Sequence, residues 1–287
     1  MTNNIYKRIA SLIRKIDRRS QYIIGSTKGN LIKVYWWKGT RNFGDFLTPA
    51  LLRKYGLTPL HSPLSTSDAV CVGSILQDLP EDYSGYIIGA GLICDMDRRF
   101  PNAKILAVRG ELTKKRLGAP ENTILGDPGL LSYKLLAGNR NKEYLIGFVP
   151  HYVDKLDQRI QKIYQNNKKE VLIIDVQCKP KEVISEIDKC RFIISSSLHG
   201  IVVADSLGIP NAWMSLSDRV VGNGFKFQDY ASAFGMNLEP HSLSGSEHLK
   251  DLINMTHEVP EEIQAVKNNL DSIFSSLKQT IINKQKI

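Results

Sequence analysis

What this sequence lacks narrows the choices early. No apolar run approaches the roughly 18 residues that a membrane-spanning helix needs in a chain of 287 residues. The N-terminus has neither the apolar stretch nor the small-residue cleavage site of a secretory signal, so a cytoplasmic location is expected. Cysteine is scarce. Cys71, Cys94, Cys178 and Cys190 show no CxxC or other metal-ligand spacing. They sit in or beside apolar segments and are expected to be reduced, mostly buried thiols. No other cluster has metal-ligand spacing, so neither a metal nor a cofactor is expected. No sequence repeat is visible.

Charge is uneven. The formal net charge is +9, and residues 1–30 hold Lys7, Arg8, Arg14, Lys15, Arg18, Arg19 and Lys28 against Asp17. Six of the nine excess charges therefore lie in that stretch, and the body is close to balanced. A globally basic nucleic-acid binder is excluded, and a basic arm on an ordinary enzyme body is expected. Within the arm Ile5, Ile9, Leu12, Ile13 and Ile16 fall at helical spacing. Such a helix either lies on an anionic membrane beside a lipid-linked substrate or packs on the body with its basic face in water. The second is the commoner fate of such stripes.

From residue 31 the pattern alternates strand and helix. Strands are expected over Leu31–Trp37, Asp68–Val72, Tyr86–Ile88, Ala103–Val108 and Asn122–Leu125, with helices from Asp45 to about Tyr55 and ahead of Gly118. Strands that end in glycine-containing loops and alternate with helices imply a parallel sheet covered on both faces. The polar stretch Asn139–Lys142 reads as a linker. A second series follows, with strands over Tyr144–Pro150, Val171–Asp175, Arg191–Ser196 and Asn211–Met214. Helices are expected around Lys155–Asn166, Pro180–Cys190 and His199–Leu207, and a long amphipathic helix past Pro260. The expected organisation is an arm (1–30), an acceptor-side α/β domain (31–138), a donor-side α/β domain (139–260) and a closing helix (261–287). Two doubly wound domains in series place a cleft between the carboxyl ends of their strands, where such sheets bind ligands.

Five segments at those ends carry polar residues. In Asn42-Phe43-Gly44-Asp45, Gly44 permits close backbone approach, and Asp45 is either a helix cap or a substrate contact. Arg109, leaving an apolar strand, suits a carboxylate or phosphate through its planar fork, or else bridges to Glu111 or Asp127. In Gly126-Asp127-Pro128, Asp127 caps the turn or faces the cleft. Ser195-Ser196-Ser197-Leu198-His199-Gly200 opens a helix, whose free N–H groups and dipole make an anion site. His199 there can donate to an anion or move a proton. Lys226, in a loop with Gly222 and Gly224, can close over a bound anion.

These segments, in this order, resemble the polysaccharide pyruvyl transferase family. The matching residues are Asn42-Phe43-Gly44-Asp45, Arg109-Gly110-Glu111, Gly126-Asp127-Pro128, Ser196-Ser197-Leu198-His199-Gly200 with Gly208-Ile209-Pro210, and Lys226-Phe227-Gln228-Asp229-Tyr230. The resemblance is to short members acting on exopolysaccharides. It implies a glycosyltransferase-B-like fold of two Rossmann-like domains. It also implies phosphoenolpyruvate as donor and a sugar diol as acceptor, free or lipid-linked, giving a cyclic pyruvate ketal. Arg109 and His199 match residues implicated in donor recognition, joined here by Ser197, Gly200 and Lys226. Asn42, Gly44 and Asp45 are the expected acceptor contacts, and His199, Asp45 and Asp127 compete for proton transfer. Many members carry arginine where this chain has Ser197, and Lys226 is the candidate replacement for that cation. Two other readings stand: a sugar-nucleotide glycosyltransferase, for which Glu239 is the one loose ribose-gripping acid, and a non-catalytic scaffold of polysaccharide assembly.

Overall fold

The computed structural model describes residues 19–27, 29–138 and 141–284. The expected helix over 5–16, and part of the expected linker, lie outside those residues. Among the described residues no helix is long and apolar enough to cross a membrane. All four cysteines are free thiols, with Cys71 and Cys190 buried and Cys94 and Cys178 half-buried.

Two parallel sheets form the frame, as the strand–helix alternation requires. The first contains β1 (Leu31–Tyr35), β2 (Thr58–His61), β3 (Ala69–Val70), β4 (Tyr86–Ile88), β5 (Lys104–Val108) and β6 (Ile124–Leu125), in the spatial order β2-β1-β3-β4-β5-β6. The second contains β7 (Tyr144–Val149), β8 (Val171–Ile173), β9 (Cys190–Ser195), β10 (Asn211–Ser215) and β11 (His241–Ser242), in the order β11-β10-β9-β7-β8. Strand β2 is absent from the sequence expectation because Pro59 interrupts its pattern. Its position explains the exception: β2 is an edge strand, where a missing N–H costs no ladder bond.

Helices α1 (Leu47–Lys54) and α2 (Glu111–Leu117) belong to the first series. The second series carries α3 (Gln158–Asn166), α4 (Pro180–Asp188), α5 (Leu198–Ser206), α6 (Phe225–Ser232) and α7 (Leu249–Asn254), before the closing helix α8 (Ile263–Lys284). Local chemistry sets their ends. Asp157 caps α3 by accepting from Arg159 N at 2.9 Å, Pro180 stands at the first turn of α4, and Gly118 ends α2 in the left-handed region at φ +58°. A 3-10 helix over Pro128–Leu135 is capped by Asp127. It is absent from the sequence expectation, since its residues are buried on several sides and show no single stripe.

The halves do not keep separate cores. One apolar cluster runs from Ile32, Leu47 and Leu51 of the first series through Leu130 and Leu131 to Ile184, Ile201 and Val202 of the second. Smaller clusters serve each sheet alone. Helix α8 seals the shared core with Leu270, Phe274 and Leu277, and its Lys267 donates to the Ser206 carbonyl at the end of α5 at 2.9 Å. The 3-10 helix is tied to α5 as well, since Ser206 Oγ donates to Leu130 O at 2.8 Å and accepts from Tyr133 N at 3.0 Å. The carboxyl ends of β1, β3 and β4 thus face those of β7 and β9.

Candidate active site

A cavity of about 270 Å³ lies between these strand ends. The first series lines it with Trp37, Asn42, Asp45, Ser74, Gln77 and Asp78, and the second with His151, Tyr152, Ser197, Leu198, His199 and Lys226. Of the residues singled out by sequence, Asn42, Asp45, Ser197, His199 and Lys226 are on the wall. Gly44, Arg109, Asp127 and Gly200 are behind it.

Asn42 shapes the first loop. Its Oδ1 accepts from Gly44 N at 3.2 Å, and Phe43 N donates across to Val176 O at 2.8 Å. Helix α1 begins after Phe46 without a side-chain cap. Asp45 is therefore not the cap that its sequence position allowed, and its carboxylate is left to the cavity. Gly44 acts by its smallness, because an added Cβ would overlap Nδ1 of His199. Gly200 does not line the cavity, and it too is crowded: a Cβ there would overlap Ser195 Oγ.

Arg109 is the main correction. The expectation places its fork in the cleft, yet its side chain is 0% exposed. Its Nε donates to Asp229 Oδ2 at 2.8 Å, one terminal nitrogen to Ser74 Oγ at 2.6 Å and the other to the Leu92 carbonyl at 2.6 Å. Asp229 also accepts from Thr113 N and Thr113 Oγ1, each at 2.7 Å. Neither partner proposed from sequence, Glu111 or Asp127, is used. The arginine joins β5 to α6 across the two halves, and it reaches the cavity only through Ser74. Two glycines make room: a Cβ at Gly91 would overlap the guanidinium, and one at Gly110 would overlap the Asp229 carbonyl.

Lys226 is not on a mobile loop. It stands in the first turn of α6, a helix the sequence expectation omits because two glycines precede it. Burial pushes its ammonium down to about 8, Arg109 pushes the same way, and Asp45 opposes. Asp45 is pushed up to about 7 by burial, with Lys226 holding it down. His199 falls to about 3 through burial, then Lys226 and Arg109. His151 falls to about 4 through burial and Lys226, against Asp154. Asp127 rises to about 6 through burial, while the Gly129 N–H and Arg109 hold it down. At neutral pH the site thus holds two neutral histidines, a cationic lysine and a carboxyl near its midpoint.

His151 is absent from the sequence-based candidates. It leaves β7 as Arg109 leaves β5, its backbone N–H donates to Ser196 Oγ at 2.9 Å, and its ring lies against Tyr152, tilted by 35° at 4.2 Å between centroids. The strand-end position that drew attention to the other residues also applied to it. Among the described residues no group of histidine, cysteine, aspartate or glutamate is arranged to hold a metal ion. Glu239 is exposed and accepts from Asn237 at 2.6 Å, and it does not line the cavity.

The profile of the polysaccharide pyruvyl transferase family matches residues 5–218, a span holding every wall residue named above except Lys226. The chain belongs to that family. Among characterised relatives, the succinoglycan biosynthesis protein ExoV of Rhizobium meliloti (strain 1021) is 29% identical over 239 residues, 77% of this chain and 71% of that protein. The uncharacterised protein L143 of Acanthamoeba polyphaga mimivirus is 33% identical over 184 residues, 59% of this chain. This chain spans only 61% of the mimivirus protein's length. Among solved structures, a variant of the wall teichoic acid polymerase TagF soaked with CDPG covers 100% of this chain and 98% of its own, at TM-score 0.44 and 11% identity. An overlay that loose says nothing about what this chain acts on.

Proposed function

We propose that this protein transfers the pyruvyl group of phosphoenolpyruvate to two hydroxyls of one sugar in a surface polysaccharide or its lipid-linked precursor. The product is a cyclic ketal, and inorganic phosphate is released. No cofactor and no nucleic acid takes part. The work is done in the cytoplasm, with residues 1–24 as a peripheral contact to anionic membrane. Family membership supports the group transferred. The observation that carries the donor is the pairing of opposed walls, with Lys226, His199 and His151 on one and Asp45 on the other.

The donor is a small trianion, and the cavity is of matching scale. Lys226 and the start of α5, beginning at Leu198 after Ser197, supply positive charge and N–H groups to its phosphate and carboxylate. Lys226 takes the place of the arginine missing at Ser197. Arg109 contributes its field and fixes Ser74, without touching the donor. Asp45, titrating near 7, is held protonated by a bound anion and delivers its proton to the methylene carbon. That carbon becomes a methyl group, and the adjacent carbon becomes an oxocarbenium-like centre. One sugar hydroxyl adds there and gives up its proton, which returns the carboxyl to its starting state. The phosphate leaves with the C–O electron pair, and the second hydroxyl closes the ring and yields its proton to the phosphate.

Calorimetric titration tests the donor. Phosphoenolpyruvate should bind where sugar nucleotides do not, and the reverse result sinks this reading in favour of a glycosyltransferase. Binding of neither by folded protein points to the scaffold. Phosphate release from phosphoenolpyruvate, screened against lipid-linked oligosaccharides, then finds the acceptor.

A further inference from the structure

Behind the cavity wall, two buried polar atoms face one another unused. Nε2 of His199 and Oδ2 of Asp127 stand 3.7 Å apart, with side chains 9% and 0% exposed. Neither atom has a hydrogen-bond partner. Unpaired buried polar atoms are rare in folded proteins, and this separation is too long for a hydrogen bond. Two of them in one place, with one ring also lining the cavity, call for an explanation from function.

We propose that Asp127 is the positioning residue of His199: an anion in the cavity draws a proton from solvent onto His199, and the imidazolium donates from Nε2 to Asp127 Oδ2. The inference rests on the reading of phosphoenolpyruvate as donor. It gives the aspartate a part in donor capture without contact with the donor, since Asp127 does not line the cavity.

Local geometry holds the two side chains in place. Oδ1 of Asp127 accepts from Gly129 N at 2.8 Å, which fixes the carboxylate plane. On the other side the ring is wedged by Gly44, where a Cβ would overlap Nδ1, and by Phe43, set edge-on at 6.4 Å between centroids. Burial is the main reason the ring is neutral, and Lys226 from α6 and Arg109 from the end of β5 add to it by disfavouring a third cation. Asp45 faces Lys226, and Asp229, beside Asp127, is already neutralised by Arg109. Asp127 is thus left a carboxylate with one committed oxygen. A trianion entering the cavity offsets both cations at once. The field at the ring then reverses, and an imidazolium between the donor and Asp127 has an anion on each side. Only one proton moves, and it comes from water.

Histidine-selective nitrogen-15 labelling reads the charge of His199 directly, with the signal assigned by His199→Gln. At about pH 7.5, saturating phosphoenolpyruvate should move both ring nitrogens of His199 to imidazolium values. Asp45→Asn should leave that change intact, which separates it from protonation of Asp45. In Asp127→Asn the amide oxygen still caps Gly129, but the ring should stay neutral. Donor binding should there weaken roughly tenfold for each pKa unit lost and recover as the pH is lowered. If the donor binds and the His199 ring stays neutral, the inference is wrong and the donor assignment survives. If neither heat nor chemical shifts respond to phosphoenolpyruvate, the donor assignment fails and this inference falls with it. Should Asp127→Asn not fold, the wild-type titration decides alone.

Discussion

The two walls of the cavity are built alike and charged oppositely. Each is made largely of residues from the loops and helix starts that follow strands. The first wall carries Asp45 and Asp78, while the second carries Lys226 with two histidines. Burial acts on both, and its consequences differ. On the first wall it pushes a carboxyl up to about 7, making it an acid at neutral pH. On the second it strips protons from His151 and His199 and leaves Lys226 as the standing cation. Under the proposed reaction this difference divides the work: the anionic donor goes to the second wall, and the proton comes from the first.

Arg109 and Asp229 tie the walls together, and the largest effect is expected there. The pair is fully buried and bridges the halves. Removing one partner leaves the other charge uncompensated, which typically costs ~3–5 kcal/mol. Arg109→Met and Asp229→Asn should each lose about that much in urea unfolding. Replacing both together, Arg109→Met with Asp229→Leu, should lose less than either alone. Single-variant losses below about 1 kcal/mol, the level of a surface pair, would show that the bridge does not hold the walls. Arg109→Lys should act in the same way, lowering stability before it touches donor affinity.

Next in size is Lys226. Lys226→Met should weaken phosphoenolpyruvate binding by ~1.5–3 kcal/mol, as for a hydrogen bond to a charged group, with little change in stability. The same variant removes the charge that holds Asp45 down, so the pH at which Asp45 loses its proton should rise. Equal donor affinity in wild type and Lys226→Met would move the donor off the second wall.

Asp45 gives a smaller effect of opposite sign in stability. Its folded pKa, about 7, is raised above the ordinary value of 3.8. The stability this confers is complete below the unfolded pKa and is lost as pH rises through the folded one. Asp45→Asn should therefore melt above wild type near pH ~8 and level with it near pH ~4. Turnover should fall in the same variant, and the wild-type rate should decline as Asp45 deprotonates above neutrality. A melt difference independent of pH would remove Asp45 as the titrating acid.

The sequence made the frame and much of the second wall readable, for a common reason. Parallel strands buried on both faces are continuous apolar runs, and their ends are marked by glycine and serine. The turn at Ser197-Leu198-His199 announced a helix start at the cavity. Roles set by contacts distant in the chain were not legible. Arg109 has the residue type and position of an anion ligand, but Asp229, 120 residues on, claims it. Gly44 and Gly200 stand in motifs with cavity-lining neighbours, yet both let a side chain approach. Helix α6 was hidden by Gly222 and Gly224, which end the preceding loop in the left-handed region at φ +101° and +79°. Pairing across the halves, which decides the roles of Arg109 and Gly44, leaves no local pattern.

The smallest expected effect tests the acceptor side of the comparison. Trp37 follows β1, lines the cavity and is 47% exposed, a large apolar face left in water. Gly39 packs against its ring, where a Cβ would overlap the indole, so the ring is held in place from one side. Asn42, Gln77 and Asp78 lie on the same wall, and Gln77 is itself fixed, accepting from Ile93 N at 3.1 Å and donating to Ser74 O at 2.8 Å. A fixed aromatic face with hydrogen-bonding groups around it suits a sugar ring, which offers C–H bonds on its face and hydroxyls at its edge. The donor, charged throughout, gains nothing from such a face. Trp37→Ala should then raise the acceptor KM by roughly threefold to tenfold, in line with ~0.5–1.5 kcal/mol for an aromatic contact, and Trp37→Phe by less. Phosphoenolpyruvate affinity measured without acceptor should not change in either. A loss of donor affinity equal to the loss for acceptor would place both substrates against the first wall, and the division of labour between the walls would have to be abandoned.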